Sequence, residues 1–586
     1  MSAPGLLRGI GNLRAVDLAL AETLHRRDPS TPDIVLAAAA LASFAVSQGH
    51  AAFDPEKAEE LAGRGGLPPA GEWIRALQDS PWVAVAKDDA ESDPSRPLVL
   101  EHGLVYLRRY REYERRLATG LARLAAQPGD AQPVPDAVFA ALFPPEESDP
   151  AQAAAARLAL ARRLALVTGG PGTGKTTTIA RVLLLLLARA KEAGQATPRI
   201  ALAAPTGRAA ERMAESLRLA AARFRGRPGI DDALLGALPR EAVTLHRLLG
   251  AVPDDPQVRF GPGRPLPYDV VVVDEASMVD LPLMCKLVEA VADGARLVLL
   301  GDPYQLPSVE AGNVLAAIAD ATGDGGDRAR SPLSGHRVHL QRGWRQQASL
   351  ELAPLSEAVR RGDADAVLEL LRGGALSGVH FHEDQFDPLR GSLRERLLPG
   401  WLALQRCTDP VEALRLATRQ RLLTVLRDGP QGAGPLNGRI EALLAGPNRE
   451  PWFHGRLLLI TRNSRHHRLS NGDIGICLRD EKGALVAWFP EGHDGARGFH
   501  PTALPAHESA FAMTVHKAQG SEFDAVWLQL PAHPNRVLSR ELVYTAITRA
   551  RGELHVAGGE AVIRLAVGRH AERWSGLGRR LRGGSA

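Results

Sequence analysis

Short apolar runs alternate with longer amphipathic stretches from about residue 151 onward. The runs at 164–168, 199–204, 270–273 and 296–300 consist mainly of Val, Leu, Ile and Ala and are typical of buried strands. Strands that alternate with helices predict a parallel α/β sheet. Each run ends at a group of polar residues, and the carboxyl ends of parallel strands meet at one edge of the sheet. The pattern therefore predicts one site assembled from these polar groups.

The pattern of apolar and polar residues also predicts the other domains of the chain. A second alternating α/β region follows the first, and short alternating runs with Gly-containing turns within it predict a small inserted β-barrel. We expect an N-terminal helical domain at 1–126, a Pro-rich linker at 127–150, α/β domains at 151–345 and 346–575, the barrel at 472–505, and a flexible Gly/Arg-rich tail at 576–586. The N-terminal domain shows no catalytic constellation, so it is either an accessory domain or a docking surface for a partner subunit.

Length and composition limit the possible classes of protein. A chain of 586 residues is too long for one core. The formal net charge of +4 is mildly basic, which permits nucleic-acid binding without demonstrating it. The three cysteines are far apart, which argues against disulfides, zinc and iron–sulfur clusters. The N-terminus lacks a signal-peptide pattern, and the most apolar run, 34–46, is shorter than the roughly 20 residues of a membrane span. We expect a cytoplasmic protein without membrane contact.

A glycine-rich segment follows the first predicted strand and fits the pattern G-x-x-x-x-G-K-[ST]. Its glycines allow the backbone N–H groups to wrap a phosphate, and the next helix adds its positive end. The predicted nucleotide contacts are Gly169, Gly170, Pro171, Gly172, Thr173, Gly174, Lys175, Thr176 and Thr177. Lys175 would reach the β- and γ-phosphates, and the Thr176 hydroxyl would ligate Mg²⁺. The segment predicts binding of ATP with Mg²⁺.

Two further strand ends carry groups that phosphoryl transfer requires. Four valines at 270–273 lead into Asp274 and Glu275, which could hold Mg²⁺ and polarise the attacking water, respectively. The strand at 296–300 leads into a Gly-Asp-Pro-Tyr-Gln turn, where Gln305 could sense the γ-phosphate. A plain type I turn is the alternative for this last segment.

Several ordered segments resemble the motifs of superfamily-one helicases. They are Ala204-Pro205-Thr206-Gly207-Arg208, Thr244-Leu245-His246-Arg247, the Gly301–Gln305 turn, Gly343-Trp344-Arg345, Thr514-Val515-His516-Lys517-Ala518-Gln519-Gly520, and Val543-Tyr544-Thr545-Ala546-Ile547-Thr548-Arg549. The chain is similar in particular to the RecD family, the α subunits of exonuclease V (the RecBCD complex). The segments 48–50, 471–475 and 510–514 extend this resemblance over most of the chain.

The resemblance implies a role for each matching residue. Gln152 matches a glutamine that reads adenine, while Arg345 and Arg549 match arginines that reach the γ-phosphate from the second α/β domain. Thr206, His246, Thr514 and His516 lie in motifs that line the single-strand path or the domain cleft. The implied catalytic set is thus Lys175, Asp274, Glu275, Gln305, Arg345 and Arg549. Trp344 and Phe523 are equally compatible with base stacking and with a place in the core.

The resemblance also implies a fold and an activity. The fold would be two RecA-like P-loop domains with the barrel insert and the N-terminal helical domain. The activity would be that of an ATP-dependent DNA helicase moving 5′→3′, acting with RecB-like and RecC-like subunits in a heterotrimer that processes double-strand DNA ends. The alternatives are a stand-alone RecD-like or conjugative helicase, and a structural subunit with a regulatory ATP site. All the motif residues are present, which disfavours the structural subunit.

Two weaker signals carry ordinary explanations. Asp473 with 480–482 loosely fits a nuclease pattern, but a charged hairpin turn explains it, and the resemblance places the nuclease on another subunit. The histidine pairs at 380 and 382 and at 466 and 467 lack the further ligands that a metal site needs, so exposed polar faces are favoured.

Overall fold

The computed structural model describes most of the chain and contains four β-sheets. The described residues are 5–87, 92–129, 136–144, 149–252, 257–323, 331–342, 350–447, 450–464, 466–492 and 495–583. Two of the sheets are parallel and belong to two RecA-like domains, as the sequence predicts. The other two are a small N-terminal sheet and an antiparallel inserted sheet.

The N-terminal region combines helices with a small sheet. Its helices are α1 (Ala15–Arg27), α2 (Asp33–Ser47), α3 (Ala58–Ala62), α4 (Ala70–Gln78) and α5 (Arg108–Ala126). The sheet has the order β1 (Val83–Val85), β2 (Leu98–Glu101), β3 (Leu104–Leu107). The expected N-terminal helical domain thus also contains three short strands that the sequence did not indicate, because their runs of three or four residues are too brief to show a period.

The first α/β domain is organised around a six-stranded parallel sheet in the order β6-β5-β7-β8-β4-β9. Its strands are β4 (Leu164–Gly169), β5 (Ile200–Ala204), β6 (Val243–Thr244), β7 (Val270–Val273), β8 (Arg296–Gly301) and β9 (Arg337–Leu340). Its helices are α7 (Pro150–Ala161), α8 (Lys175–Glu192), α9 (Gly207–Ala222), α10 (Asp232–Gly236), α11 (Leu245–Leu249), α12 (Leu281–Ala290) and α13 (Val314–Ala321). The four strands predicted from apolar runs are all present.

Both faces of this sheet are buried, which explains its continuous apolar strands. Alternate residues of each strand point to opposite faces. Val271 and Val273 join one core with α12, whereas Val270 and Val272 join another with α8. A strand covered on both faces needs apolar residues at every position. The helix α6 (Asp136–Leu142) precedes the domain inside the stretch predicted as a linker, and Leu142 is fully buried in the α8 core.

The second α/β domain has a five-stranded parallel sheet in the order β10-β19-β18-β11-β17. Its strands are β10 (Val379–Glu383), β11 (Gln420–Thr424), β17 (Ala512–Thr514), β18 (Phe523–Gln529) and β19 (Ala550–Gly558). Its helices are α14 (Ala353–Arg361), α15 (Ala364–Gly373), α16 (Gly391–Leu404), α17 (Pro410–Ala417), α18 (Ala433–Ala445), α19 (Arg540–Ile547) and α20 (Glu560–Gly568).

An antiparallel sheet is inserted between β11 and β17. Its five strands are β12 (Leu457–Ile460), β13 (Ile474–Arg479), β14 (Leu485–Glu491), β15 (Gly495–Phe499) and β16 (His507–Ser509). They follow the order β15-β14-β13-β12-β16, so β15 and β16 are the two edges among the described residues. The insertion is present and is wider than 472–505, but its closure into a barrel is not confirmed.

The C-terminal tail is helical and docked up to residue 583. The helix α21 (Leu577–Leu581) buries Leu577 and Leu581 against α5 and the first α/β domain. The expectation of a flexible tail at 576–586 is therefore wrong for residues 576–583, and residues 584–586 lie outside the described part of the chain. Among the described helices, none is long and apolar enough to cross a membrane.

Candidate active site

The glycine-rich loop lies between β4 and α8, where the sequence predicts it. Gly172 and Gly174 have φ values of 78° and 83°, a left-handed conformation that glycine adopts without strain. The Lys175 ammonium group donates to the carbonyl oxygens of Gly169 at 2.7 Å and of Gly170 at 3.0 Å. Lys175 and Thr176 are half-buried at the start of α8. The loop thus presents a cation and a helix N-terminus to the same space, which suits a polyphosphate.

Gln152 lies behind the loop rather than in front of it. Gln152 is buried, with 2% of its surface exposed. The amide nitrogen donates to the Thr173 carbonyl oxygen at 3.3 Å, and the amide oxygen accepts from Arg181 at 2.7 Å. In this conformation Gln152 supports the loop backbone, and it has no exposed group to offer a base.

Asp274 and Glu275 follow β7 at the same edge of the sheet. Asp274 accepts a hydrogen bond from the Glu275 backbone N–H at 2.8 Å. Burial and the neighbouring Glu275 raise the pKa of Asp274 to about 6, while Lys175 opposes this shift. Glu275 has a φ of 51°, a left-handed conformation that is unfavourable for a residue with a side chain. Such strain at a strand end is typical of functional positions.

The turn after β8 brings a second buried carboxylate toward the loop. Asp302 is 1% exposed and accepts from the Tyr304 backbone N–H at 3.1 Å. Burial raises the pKa of Asp302, and Lys175 opposes that shift, so the two side chains are electrostatic neighbours. Gln305 is 4% exposed, and its amide nitrogen lies 3.4 Å from Asp302 Oδ2. The structure therefore brings Lys175, Asp274, Asp302 and Gln305 to one edge of the sheet.

The second α/β domain closes over this edge through α19 and the segment before β18. The Tyr544 hydroxyl donates to Asp302 Oδ2 at 3.0 Å. The Thr545 hydroxyl accepts from the Leu306 backbone N–H at 2.8 Å. The Gln519 amide donates to the Leu306 carbonyl oxygen at 3.1 Å. The turn after β8 is thus held by side chains from the opposite domain.

Arg549 lies just after α19 and is 1% exposed. Its guanidinium donates to the Thr545 carbonyl oxygen at 3.1 Å and to the Ser521 carbonyl oxygen at 3.3 Å, both within its own domain. The remaining nitrogen, Nη2, is buried and has no hydrogen-bond partner in the described structure. A buried donor without an acceptor is costly. Arg345, with Gly343 and Trp344, lies outside the described residues.

The four DNA-contact candidates lie at the ends of elements in both domains. Thr206 caps α9 by accepting from the Ala209 N–H, and Thr514 accepts from the Lys517 N–H. His246 is exposed on α11. His516 is half-buried, and burial with the nearby Arg573 cation lowers its pKa.

Contacts from α9 span the cleft near these candidates. Arg208 donates to the Gly472 carbonyl oxygen at 3.1 Å, which ties α9 to the inserted sheet. Arg212 lies 3.4 Å from Glu522 of the second α/β domain. The segments that resemble the DNA-path motifs therefore face each other across the two domains.

The structure decides several alternatives that the sequence left open. Phe523 is fully buried beneath the Arg421 guanidinium, so it belongs to the core and not to a stacking surface. His380 and His382 stack on His555, which explains that pair without a metal. Within the described ranges, no group of three or more His, Cys, Asp and Glu side chains could hold a metal ion.

The structure also explains the acidic residues that loosely fit a nuclease pattern. Asp480 accepts from the backbone N–H groups of Lys482 and Ala484, as expected for the hairpin turn between β13 and β14. Asp473 instead accepts from the Ser470 N–H, at the start of β13. The two acidic residues therefore accept backbone hydrogen bonds in two separate turns.

Sequence reasoning missed the side chains that cross the cleft. Tyr544 and Thr545 lie in the segment 543–549, which the sequence analysis matched to a motif because of Arg549. No spacing in that segment indicates that they contact the first α/β domain. Arg360 on α14 is a further example, because its guanidinium lies 4.6 Å from the Tyr304 ring centroid. These partners come from elements that are more than 50 residues apart in the chain, so only the folded structure identifies them.

Three family models match this chain. A model described as "RecBCD enzyme subunit RecD, N-terminal domain" matches residues 10–106. An "AAA domain" model matches residues 152–311, which include the glycine-rich loop and both carboxylate strand ends. A "UvrD-like helicase C-terminal domain" model matches residues 509–557, which include α19 and Arg549.

A comparison with solved structures finds Pif1 helicases at low similarity. Bacteroides Pif1 bound to ssDNA is 17% identical, with a TM-score of 0.35 over 67% of this chain and 88% of that chain. Pif1 helicase from Candida albicans is 16% identical, with a TM-score of 0.35 over 71% of this chain and 96% of that chain.

Curated relatives extend over nearly the whole length of the chain. The RecBCD enzyme subunit RecD of Mycobacterium tuberculosis (strain ATCC 25618 / H37Rv) is 40% identical over 99% of this chain and 97% of the relative. The RecD subunit of Haemophilus influenzae is 36% identical over 73% and 72%, respectively. The ATP-dependent RecD2 DNA helicase of Deinococcus radiodurans is 30% identical over 83% of this chain and 60% of its own length. With its nucleotide loop, its paired α/β domains and its N-terminal region all matched, this chain belongs to the RecD family of RecBCD enzyme subunits.

Proposed function

We propose that this protein is an ATP-dependent 5′→3′ DNA helicase that acts as the RecD-type subunit of an exonuclease V complex at double-strand DNA ends. One observation carries the proposal. The glycine-rich loop, Asp274, Asp302 and Gln305 meet at one sheet edge, and α19 of the second α/β domain contacts that edge directly. A site shared by two domains allows hydrolysis to be coupled to their relative motion.

The residues of the first domain fit a magnesium nucleotide. Lys175 donates to its own loop carbonyls in this structure, so it is already held where phosphate oxygens would take over its bonds. Thr176 and Asp274 would hold Mg²⁺, which neutralises charge on the phosphates. Glu275 would orient the attacking water. An adenine contact by Gln152 would require the side chain to give up its bond to the Thr173 carbonyl oxygen.

The arginines of the second domain would complete the site on closure. Arg549 retains one unpartnered buried nitrogen, which supports a role as a donor to a phosphate oxygen. Arg345 is the second proposed arginine. Gln305 would report the state of the γ-phosphate to the turn that Tyr544 and Thr545 hold. Hydrolysis would thereby be linked to opening and closing of the cleft.

Thr206, His246, Thr514 and His516 are proposed to line the path of a single strand. Hydroxyl and imidazole groups can contact the phosphate backbone without reading its sequence. The 5′→3′ direction follows from membership of the RecD family and not from any distance in the structure.

The proposed partners are RecB-like and RecC-like subunits, because the relatives at 40% and 36% identity are named as subunits of the RecBCD enzyme. The nuclease site would lie on one of those subunits. The N-terminal region is the proposed docking surface. The stand-alone alternative is less favoured, since the RecD2 helicase is less similar and only 60% of its length is matched.

The first test is ATP hydrolysis by the purified chain with and without single-stranded DNA. We expect DNA to stimulate turnover, and we expect the Lys175→Gln variant to lose it. Helicase activity on duplexes with a 5′ or a 3′ tail then tests the direction.

Partner dependence is tested by adding RecB-like and RecC-like subunits from the same cell. Turnover that appears only in their presence would support the assembled subunit over the stand-alone motor. Turnover absent both from the chain alone and from the reconstituted complex would contradict the helicase and favour a structural subunit.

A further inference from the structure

The Tyr544 hydroxyl of the second α/β domain lies beside the glycine-rich loop. A Cβ atom placed on Gly170 would lie 3.1 Å from the Tyr544 hydroxyl oxygen and 3.9 Å from Asp302 Oδ2. The same hydroxyl donates to Asp302 Oδ2 at 3.0 Å. Tyr544 is 7% exposed and Asp302 is 1% exposed. One buried hydroxyl therefore lies beside the phosphate-binding loop and donates a hydrogen bond to the turn after β8.

Gly170, which lies beside Tyr544, is also a residue whose carbonyl oxygen accepts a hydrogen bond from Lys175. Lys175 donates to the Gly170 carbonyl oxygen at 3.0 Å, and Thr173 also donates to it at 2.8 Å. A change in the loop at Gly170 on nucleotide binding would thus reach Tyr544 without any intervening residue. A larger residue at position 170 would press on the tyrosine.

Tyr544 is also connected to Arg549 through α19. Tyr544 and Thr545 are adjacent on α19, and both bond to the turn after β8, through Asp302 and the Leu306 N–H. The Thr545 carbonyl oxygen in turn accepts from Arg549 Nε at 3.1 Å. The arginine is therefore connected to the first α/β domain through one turn of helix anchored by two side chains.

We propose that Tyr544 is a positioning residue that sets the Arg549 guanidinium against the nucleotide by bonding to Asp302 across the cleft. The inference rests on the proposed function and deepens it. A hydrogen bond to a buried carboxylate is stronger than one between neutral groups. Removing it leaves α19 free to shift relative to the loop, and a small misplacement of a catalytic group has a large effect on rate. Nucleotide binding by the loop itself does not require the bond.

The variant Tyr544→Phe removes only the hydroxyl group and retains the ring. We expect its kcat for ATP with saturating single-stranded DNA to fall about tenfold or more, as for loss of a hydrogen bond to a charged group. We expect its KM for ATP and its affinity for a fluorescent ADP analogue to stay within about twofold. The matched control is Tyr113→Phe, which removes the same group from a half-buried tyrosine on α5, in the N-terminal region. This control should behave as the wild type.

A double-mutant cycle with Asp302→Ala tests whether the two side chains act through their bond. If they do, the Tyr544→Phe/Asp302→Ala protein is no slower than Asp302→Ala alone, because the bond is already lost. Effects that multiply would overturn the proposal. Tyr544→Phe kinetics within twofold of the wild type, or a change confined to KM, would overturn it as well.

A measurement without DNA separates this inference from the proposed function. We expect the wild-type melting temperature to rise more with ADP–Mg²⁺–aluminium fluoride than with ADP–Mg²⁺, because the analogue mimics the transition state that Arg549 contacts. Tyr544→Phe should lose this extra rise and keep the rise with ADP. If the wild type shows the extra rise but DNA stimulates turnover neither in the chain alone nor in the reconstituted complex, the helicase proposal fails while the role of Tyr544 is still decided. An extra rise retained by Tyr544→Phe would refute that role.

Discussion

Two junctions in this molecule join separate parts of the chain, and they are built from different interactions. At the nucleotide cleft, the two α/β domains meet mainly through polar contacts around a glycine-rich loop, such as Tyr544 to Asp302 and Arg212 to Glu522, with Leu306 buried against the second domain. At the second junction, which we call the tail junction, residues 573–583 bind the N-terminal region to the first α/β domain. It uses helix packing, aromatic stacking and buried ion pairs.

The tail junction combines aromatic stacking with ion pairs. Trp574 stacks on His50 with ring centroids 3.9 Å apart. Arg580 pairs with the buried carboxylates of Glu101 and Glu114. Arg582 pairs with Asp320 of the first α/β domain at 2.7 Å. A chain segment that follows the second α/β domain therefore contacts both the N-terminal region and the first domain.

Close packing of α5 on α12 also joins the N-terminal region to the first α/β domain. A Cβ atom on Gly120 would lie 2.7 Å from Val288 Cγ1, so the helices approach as closely as a glycine allows. Arg123 donates to the carbonyl oxygens of Val288 and Val291 at 3.1 Å and 3.0 Å. The α5 residues Leu117, Leu121 and Leu124 join the core of the first α/β domain.

The difference suggests that one junction moves and the other holds. A hydrogen bond contributes only about 1 kcal/mol net, because water replaces it on opening. Buried apolar side chains have no such replacement. We therefore expect the cleft, which is held mainly by polar contacts, to open and close with nucleotide, and we expect the tail junction to keep the N-terminal region fixed on the first domain. The predictions below test this division.

The largest effect is expected for Lys175→Gln at the cleft. Loss of the ammonium group removes the loop's only side-chain cation toward the phosphates, so DNA-stimulated ATP turnover should fall at least about a hundredfold. The melting temperature should stay close to that of the wild type, since the hydrogen bonds that Lys175 makes to described residues are to carbonyl oxygens of its own loop. Full turnover in this variant would refute the site.

Arg549→Ala should abolish turnover while nucleotide binding remains. An arginine that stabilises the transferring phosphoryl group contributes about 10³-fold or more. We expect a fluorescent ADP analogue to bind with near wild-type affinity. Arg564→Ala, a surface arginine of α20, serves as the control. Surviving turnover in Arg549→Ala would exclude this residue as the cross-domain arginine.

Trp574→Ala tests the tail junction and should affect stability rather than turnover. Trp574 is 6% exposed, and truncation of a buried tryptophan costs about 3–5 kcal/mol of unfolding free energy. ATP turnover per folded molecule should remain unchanged at low temperature. Leu565→Ala, which alters a partly exposed residue of α20, should change stability by less than about 0.5 kcal/mol. A parallel loss of turnover in Trp574→Ala would contradict the division between the junctions.

The smallest effect is a pH dependence that arises from Glu114. Burial raises the pKa of Glu114 from 4.5 to about 7, despite hydrogen bonds from Ser575 and the Gly576 N–H. Between pH 5 and 7 the folded protein then keeps a proton that the unfolded chain releases. Because the carboxyl group ionises more readily in the unfolded chain, the free energy of unfolding falls as pH rises through this window, by at most about 3 kcal/mol.

Melting curves from pH 5 to 8 for the wild type and Glu114→Gln check this. The variant has no carboxyl group to ionise, so its stability should fall less over the window. Burial lowers the pKa of His50 to about 3, which gives the opposite slope, but that contribution is present in both proteins and cancels in the comparison. Parallel curves would show that the pKa of Glu114 is not raised in the folded protein.

Much of the nucleotide cleft could be predicted because its signals are local. The apolar strands at 164–168 and 270–273 and the residues that follow them are contiguous in sequence, and a parallel sheet brings their ends together. Membership of the RecD family was likewise predicted from ordered motifs and is confirmed by relatives that span the chain. The residue roles of Arg345, Arg549 and the DNA-contact candidates stay predictions.

The tail junction and the inserted sheet were predicted poorly for the opposite reason. A Gly/Arg-rich tail is typical of disorder, and only the distant acceptors Glu101 and Glu114 make Arg580 part of a buried network. The strands β12 and β16 pair with each other across an intervening segment of more than 40 residues, so the limits of the insertion depend on long-range pairing.

By itself the sequence determined the α/β class, the loop that would hold a nucleotide and the family. These depend on periodicity and on contiguous motifs, which physical chemistry constrains within a few residues. Only the tertiary structure decided that Gln152 supports the loop from behind, that Phe523 is core, that Tyr544 reaches Asp302, and that the tail is anchored. Each of these depends on which distant groups become neighbours, and burial or pairing in the fold then determines whether a polar side chain is free or bound.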